Sequence, residues 1–304
     1  MESWKSDRIY YQNYANYDGL IMRLAERLEK LVEDGRISKW FFLRYWEDGP
    51  HIRIRYLSEE ELAADQLFDE AKAWIKQHPT ERKLTKEEYF RHHKFDGDPL
   101  ALEQQEWYEE GDIIAKPYEP EYDRYGGKAL MPLTETLFLE SSRLAVLLLK
   151  LMRESSFTAR LLVAMTVVQE LAEGCFENMP RLGAVQSYYR KSADSWKRLY
   201  RLETMDLPDR LVQGISNNPR WKEAVVRLLY ADGEYDRMKG RLLAGYASIG
   251  DALEDEQQIR AIIYSHLHML NNRLGIGPEY EYALYETLWS LGSKQEVGLD
   301  AIIS

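Results

Sequence analysis

The chain of 304 residues has a single cysteine, Cys175, which rules out an internal disulfide and a thiolate zinc centre. With Ala172, Gly174 and Phe176 around it, Cys175 reads as a buried thiol at a packed helix end. Long apolar runs are missing too: Ala145–Met152 is broken at Lys150 and Ala159–Val168 at Arg160, short of the roughly 18 residues that a membrane span needs. The start, Met1-Glu2-Ser3-Trp4-Lys5-Ser6-Asp7, has neither the basic residues nor the apolar stretch of a secretion signal, so the expected compartment is the cytoplasm. Basic charge is in deficit, with 40 Lys and Arg against 51 Asp and Glu and a net charge of -11. That balance opposes nonspecific attraction to a phosphate backbone, and any anion site must be a local cluster. The patterns G-x-x-x-x-G-K, G-x-G-x-x-G, H-E-x-x-H and G-x-S-x-G do not occur. His92-His93, between Arg91 and Lys94 and without a nearby cysteine, reads as a surface cluster and not as a metal site.

A content of 45% hydrophobic and 30% charged residues excludes fibrous and disordered classes and suffices for a sizeable core. Twenty-one tyrosines and eight tryptophans supply area for that core or for grooves that hold a peptide.

Along residues 1–79 the chain alternates. Arg8–Asn13 is rich in strand formers, and Leu20, Ile21, Leu24, Leu28 and Leu31 recur at helical spacing, with Gly35 as the stop. Trp40–Trp46, the turn Glu47-Asp48-Gly49-Pro50 and His51–Tyr56 form a hairpin signal. Ser58 followed by Glu59, Glu60 and Glu61 opens an amphipathic helix through Leu62, Phe68, Ala71 and Ile75 that stops at Pro79. Residues 80–132, punctuated by Gly97-Asp98-Pro99, Gly111-Asp112, Lys116-Pro117, Glu119-Pro120 and Gly126-Gly127, read as a long irregular crossing whose aromatic content argues against disorder. From 133 to 304 the pattern is helical over Leu133–Arg153, Phe157–Phe176, Gly183–Tyr200, Trp221–Tyr230, Tyr235–Ile249, Asp255–Leu274 and Pro278–Leu291. The expected fold class is therefore α+β, a β-α-β-β-α sheet layer followed by a predominantly helical part, in one domain of two layers over residues 1–304.

Two constellations can carry chemistry. On a strand over His51–Tyr56, alternation puts His51, Arg53 and Arg55 on one face. A solvated sheet face, or ion pairs with acidic residues, would account for them. The aromatic density of the neighbouring strand favours instead a covered face on which two guanidinium forks clamp a carboxylate or phosphate. Arg44 joins this clamp only if the hairpin register turns it to that face. The second constellation is the helix around Ser265-His266-Leu267-His268. Ile259, Ile262, Ile263, Leu267, Leu270 and Leu274 make an apolar face that includes His266, which reads as a packed core histidine. His268 falls opposite, on a stripe with Tyr264, Ser265, Asn271 and Asn272, which either faces water or orients an imidazole. Arg273 lies back toward the apolar side, where it can serve the helix C-terminus or reach a ligand. Between the two, Asp123-Arg124-Tyr125-Gly126-Gly127 is a turn that permits positive φ and close backbone approach.

Three segments, WFFLRYWEDGPHIRIRY (Trp40–Tyr56), YEPEYDRYGG (Tyr118–Gly127) with LTETLFLESS (Leu133–Ser142), and SHLHMLNNRL (Ser265–Leu274), resemble the C-terminal elimination domain of class I lanthipeptide (lantibiotic) dehydratases, a family also found as free-standing thiopeptide-type bacteriocin biosynthesis proteins. The segments are spread over most of the chain. The resemblance implies a cytoplasmic lyase of ribosomal peptide antibiotic maturation. It would eliminate glutamate from glutamylated Ser or Thr of a precursor peptide, leaving dehydroalanine or dehydrobutyrine, with no cofactor and no metal. It further implies that Arg53, Arg55 and Arg124 hold and stabilise carboxylates and that His268 is the base, with His51, Arg44, Tyr125, Tyr264, Asn272 and Arg273 around the substrate. The expected partners are the leader and core of the precursor and a separate glutamyl-tRNA-dependent glutamylating protein. Direct nucleic-acid binding is not expected, and a homodimer is compatible with the resemblance. Two alternatives stand beside elimination. One is a pyridine synthase of the same family, which joins two dehydroalanines in a formal [4+2] cycloaddition and expels the leader peptide. The other is a non-catalytic escort that binds the leader, for example as a strand added to a sheet edge. The elimination reading requires the arginines to converge on one neutral imidazole.

Overall fold

The computed structural model describes residues 2–59, 64–91, 94, 95, 98, 99, 102–202, 206–218 and 220–303. Glu60, Glu61, Leu62, His92, His93 and Gly97, singled out above, lie outside the described residues. The protein is an α+β chain with a four-stranded antiparallel sheet near the N-terminus and helices nearly throughout the remainder. Two compact units are formed, one by Met1–Glu121 with Ser141–Lys150 and the other by Tyr122–Glu140 with Leu151–Ser304. Among the described residues, no helix is long and apolar enough to cross a membrane.

In the first unit, β1 (Ser3–Tyr10), α1 (Tyr17–Glu33), β2 (Lys39–Tyr45), β3 (His51–Ser58) and α2 (described over Ala64–Gln77) follow one another in the expected order. The sheet runs β2-β3-β1 and gains a fourth strand at the β1 edge from Ile113–Ala115, in the stretch expected to be irregular. Three residues are too few to show a period of two. The same stretch holds α3 (Lys86–Phe90), whose cap Thr85 forms a reciprocal capping box with Glu88, and the two-residue strands β4 (Lys94–Phe95) and β5 (Asp98–Pro99); Ile113–Ala115 is therefore β6.

Leu20, Ile21, Leu24, Leu28 and Leu31 all point inward from α1. The helix closes through Gly35 at φ 69°, with Arg36 N donating to Leu31 O at 2.9 Å, a left-handed cap that suits glycine. One sheet face, with Ile9, Trp40, Phe42, Ile52 and Ile54 at most 1% exposed, forms the core beneath α1. Trp40 Nε1 donates to Glu29 of α1 at 3.1 Å.

The second unit is built from α4 (Met131–Leu151), whose second half, Ser141–Lys150, belongs to the first unit, and from α5 (Phe157–Asn178), α6 (Val185–Tyr200), α7 (Leu207–Asn217), α8 (Trp221–Leu229), α9 (Glu234–Ala252), α10 (Glu256–Arg273) and α11 (Pro278–Ile303). Helix α7 has no counterpart in the sequence reading: its apolar positions are interrupted by Pro208 and Gly214, but proline in the first turn starts a helix instead of breaking one. Helix α11 continues beyond Leu291 through Gly292, where a Cβ would collide with Gln186 of α6. Glycine lets the two helices close on each other. Buried Cys175 sits in α5, where burial pushes its thiol well above the ordinary range.

Candidate functional site

In the first unit the pairing registers decide which side chains share a face. Arg55, Arg53 and His51 stand opposite Phe41, Leu43 and Tyr45 on β2 and opposite Ser6, Arg8 and Tyr10 on β1, and directly opposed residues project to the same side. The face thus holds three arginines, Arg8, Arg53 and Arg55, among aromatic rings. Arg53 lies 3.4 Å from the Tyr45 ring centroid, and Arg55 lies 4.7 Å from Tyr118 and 5.5 Å from Phe41. Aromatic faces stabilise a desolvated cation without neutralising it.

Each cation on this face is handled differently. Arg8 bonds Asp48 at 2.8 Å and Arg53 bonds Glu47 at 3.1 Å. Arg55 feels the charge of Glu121, but its Nε is buried with no hydrogen-bond partner among the described residues. Burial, the dominant cause, lowers its guanidinium to about 10. An acceptor-only group such as a carboxylate is what that fork lacks.

His51 is fully buried, its Nδ1 2.9 Å from Gly49 O and its Nε2 3.0 Å from Arg53 Nε. A carbonyl only accepts and a guanidinium only donates, so the ring is neutral with its proton on Nδ1. Burial pushes its pKa down to about 3. His51 therefore aims Arg53 and does not itself offer a charge.

Arg44 departs from the expectation. It stands opposite Ile52 and so projects to the other face, where its Nη2 bonds Asp18 of α1 at 2.5 Å. The register takes it out of the arginine face.

In the second unit the turn Asp123–Tyr125 packs against α10. Gly126 makes this possible: its φ is 84°, and a Cβ there would come within 2.7 Å of Leu130 and 3.2 Å of Ile262. The close approach brings Arg124 Nε to 3.1 Å from Ser265 Oγ. Tyr125 turns inward, 2% exposed, against Phe138 and His266. Arg273 is fully buried, 5.5 Å from the Phe138 ring. These two side chains, expected around the substrate, instead build the helical core.

The two histidines of α10 separate sharply. His266 is 1% exposed among Tyr125, Phe138 and Tyr246, and neither ring nitrogen has a hydrogen-bond partner among the described residues. Burial pushes its pKa down to about 3. His268 is part-exposed; its Nδ1 lies 2.7 Å from Glu281 Oε1, its ring 5.0 Å from that of Trp196. Glu281, on α11, is fully buried, and its second oxygen accepts from Asn271 Nδ2 at 3.2 Å. Burial raises the Glu281 carboxyl, while His268, Asn271 and Arg124 pull it back down. Of the polar stripe, Asn271 reaches His268 only through Glu281, and Ser265 serves Arg124 instead. Half-buried Tyr264 lies against Trp196 and Tyr285, and it walls a pocket of about 350 Å³ shared with Phe176, Tyr188, Lys191, Ser192 and Ser195. Half-buried Asn272 completes the stripe.

Residues 4–291 match the model of the lantibiotic biosynthesis dehydratase C-terminal family. The chain belongs to this family. It is 24% identical over 283 residues to the subtilin biosynthesis protein SpaB of Bacillus subtilis, a match that takes in 90% of this chain and 24% of SpaB. In fold it is similar to the tRNA-dependent lantibiotic dehydratase MibB from Microbispora sp. 107891, with TM-score 0.58 and 18% identity over 96% of this chain and 28% of MibB. It is also similar to the pyridine synthase TbtD from thiomuracin biosynthesis, with TM-score 0.68 and 15% identity over 94% and 96% of the two chains. A third similar fold is TsrL, with TM-score 0.60 and 16% identity over 97% and 96%. The chain thus spans about a quarter of the length of SpaB and of MibB, and at these identities the structural likenesses speak for the fold.

Family membership relates the chain to the C-terminal part of the lantibiotic biosynthesis dehydratases. Sequence reasoning missed Arg8 and Glu281. Both had a signal. Arg8 alternates within RIYY, and Glu281 occupies the stripe of Leu284, Tyr285 and Leu288, where a carboxylate on an apolar face calls for a partner.

Proposed function

We propose that the chain eliminates glutamate from glutamylated Ser or Thr of a precursor peptide. In this reaction His268 takes the Cα proton, the Cβ–O bond breaks, glutamate leaves with the bonding pair as a carboxylate, and a Cα=Cβ double bond remains. Arg53, Arg55 and Arg124 hold the glutamyl carboxylate and stabilise the charge that develops on the leaving group. The observation that carries this reading is the arginine face of β1–β3, on which Arg55 presents a desolvated fork with an unpartnered Nε. Such a fork is stabilised more by an anion than by a neutral amide. The glutamyl group itself would come from a separate glutamyl-tRNA-dependent protein.

A cycloaddition that joins two dehydroalanines is the second reading. It is favoured by the aromatic walls that Phe41, Tyr45 and Tyr118 raise around the same arginines. One experiment decides between them. The precursor peptide, glutamylated by its partner enzyme, is incubated with this protein and followed by mass spectrometry. Elimination converts each glutamyl adduct into a product lacking one water relative to the starting peptide, and Arg55→Ala or Arg124→Ala lets the adduct accumulate. Unchanged adducts with the wild-type protein would refute elimination. A macrocycle formed with leader release from a dehydroalanine-bearing peptide would establish the second reading.

A further inference from the structure

We infer that Glu281, held by Asn271, is the positioning residue that makes Nε2 of His268 the proton-accepting atom and stabilises the imidazolium formed when that atom is protonated. The inference rests on the reading of His268 as a base, and it adds a residue from a different helix whose chemistry is fixed by its surroundings.

The geometry of α10 and α11 leaves little choice. Asn271 Nδ2 can only donate, so Glu281 Oε2, 3.2 Å away, is an acceptor. Whatever proton the carboxyl and the imidazole share therefore lies between Oε1 and Nδ1, 2.7 Å apart. With that side of the ring occupied, Nε2 carries the lone pair. Each turnover adds a proton at Nε2, and the resulting positive charge is met by a carboxylate already in contact with the far side of the ring. Arg124 acts on Glu281 as well, drawing its carboxyl down against the effect of burial and so favouring the carboxylate that meets the imidazolium.

The energetics point the same way. A carboxylate with no exposed surface is costly, and burial does raise the Glu281 carboxyl. A glutamine would fill the same volume without that cost. The other titratable groups that feel Glu281 are Tyr188 on α6, Tyr264 on α10 and Tyr285 on α11, each pushed upward by burial. None of these phenols ionises near neutrality, which leaves the imidazole of His268 and the guanidinium of Arg124 as the titratable groups that act on the Glu281 carboxyl.

Glu281→Gln tests the inference. The variant is expected to fold, because Asn271 Oδ1 is buried without a partner among the described residues and a half-turn of the Asn271 amide gives the new amide an acceptor. The imidazole C–H resonance of His268, assigned by its loss in His268→Asn, is titrated by NMR without substrate. The pKa is expected to fall by about one unit or more in Glu281→Gln, because the carboxylate that favours imidazolium is gone. In the elimination assay kcat falls on the order of 10²-fold or more, as when an imidazole loses its orienting carboxylate, while KM stays within about threefold. The acid limb of the pH–rate profile follows the NMR pKa downward. Asn271→Ala, which keeps both charges, shows a smaller loss in kcat and the same direction of shift. A His268 pKa and a kcat that both remain at wild-type values in Glu281→Gln would overturn the inference. Should the wild-type protein not eliminate glutamate at all, the lyase reading fails by itself, and the substrate-free titration still decides whether Glu281 governs His268.

Discussion

Replacing His266 by leucine should make the protein more resistant to acid, by an amount that follows from the surroundings of the ring. The folded state holds this imidazole neutral, with burial pushing its pKa from 6.5 to about 3. An unfolded chain protonates the same ring near pH 6.5. Between these two values the unfolded state binds more protons, so stability falls as pH falls, by about 1.4 kcal/mol per pH unit. At pH 4.5, two units below the unfolded value, His266 alone costs about 3 kcal/mol relative to pH 7.5. Leucine carries no such term. At pH 7.5 it also removes two buried nitrogens that lack partners, each worth about 1–3 kcal/mol, against the loss of edge contacts with Tyr125, Phe138 and Tyr246 at about 0.5–1.5 kcal/mol apiece.

The assay is urea unfolding of both proteins at pH 7.5 and 4.5, read as the change in the stability difference between them. Every other titrating group contributes equally to the two chains, so the difference isolates His266. A leucine variant that gains about 3 kcal/mol on wild type between the two pH values agrees with the linkage. Parallel pH dependences would mean that the ring is protonated in the folded state, and the assignment of His266 to the core would fall. The same substitution should leave glutamate elimination intact, in contrast to any change at His268.

Arg44→Ala should cost about 1 kcal/mol in thermal or urea unfolding through loss of the part-buried Asp18 pair, and should leave the elimination rate within about twofold of wild type, because Arg44 faces away from Arg53 and Arg55. Gly126→Ala should destabilise by about 2 kcal/mol or more, since a Cβ at φ 84° meets Leu130 at 2.7 Å. Its elimination rate should fall as well, because the turn that presents Arg124 can no longer sit against α10.

The alternation of the hairpin and the helical period of Leu20–Leu31 were legible because each repeats over enough residues to define a face. The same logic set His51, Arg53 and Arg55 on one side of β3 and parted His266 from His268. Cross-strand register is a different kind of quantity. Nothing local to Trp40–Tyr56 says whether Arg44 meets Ile52 or Arg53, and a slip of one residue would have reversed the answer. Pairings between elements far apart in sequence were equally out of reach: Arg8 opposite Arg53 depends on β1 lying beside β3, and Glu281 meets His268 only because α11 returns to α10. Arg273 and Tyr125 were misread for another reason. Arginine and tyrosine have apolar bodies with polar ends, and sequence does not tell which end a given site uses.

The charge arrangement bears on the chemistry more directly than the fold does. Folds similar to this one are found in a lantibiotic dehydratase and in a pyridine synthase, so architecture alone does not choose a reaction. A cycloaddition between two dehydroalanines passes through groups that carry no formal charge, and desolvated guanidinium ions would be an expense without a return. Expulsion of glutamate puts one carboxylate on the departing group and keeps another on its side chain. Burial lowers the Arg55 guanidinium to about 10, so a carboxylate beside it would relieve that cost. Burial likewise raises the Glu281 carboxyl, and a positive charge on His268 would offset that cost when the imidazole takes the proton that leaves Cα. Each unit thus keeps one ion in a state that substrate chemistry of opposite sign would relieve, and among the readings open to this family, glutamate elimination generates both counter-charges.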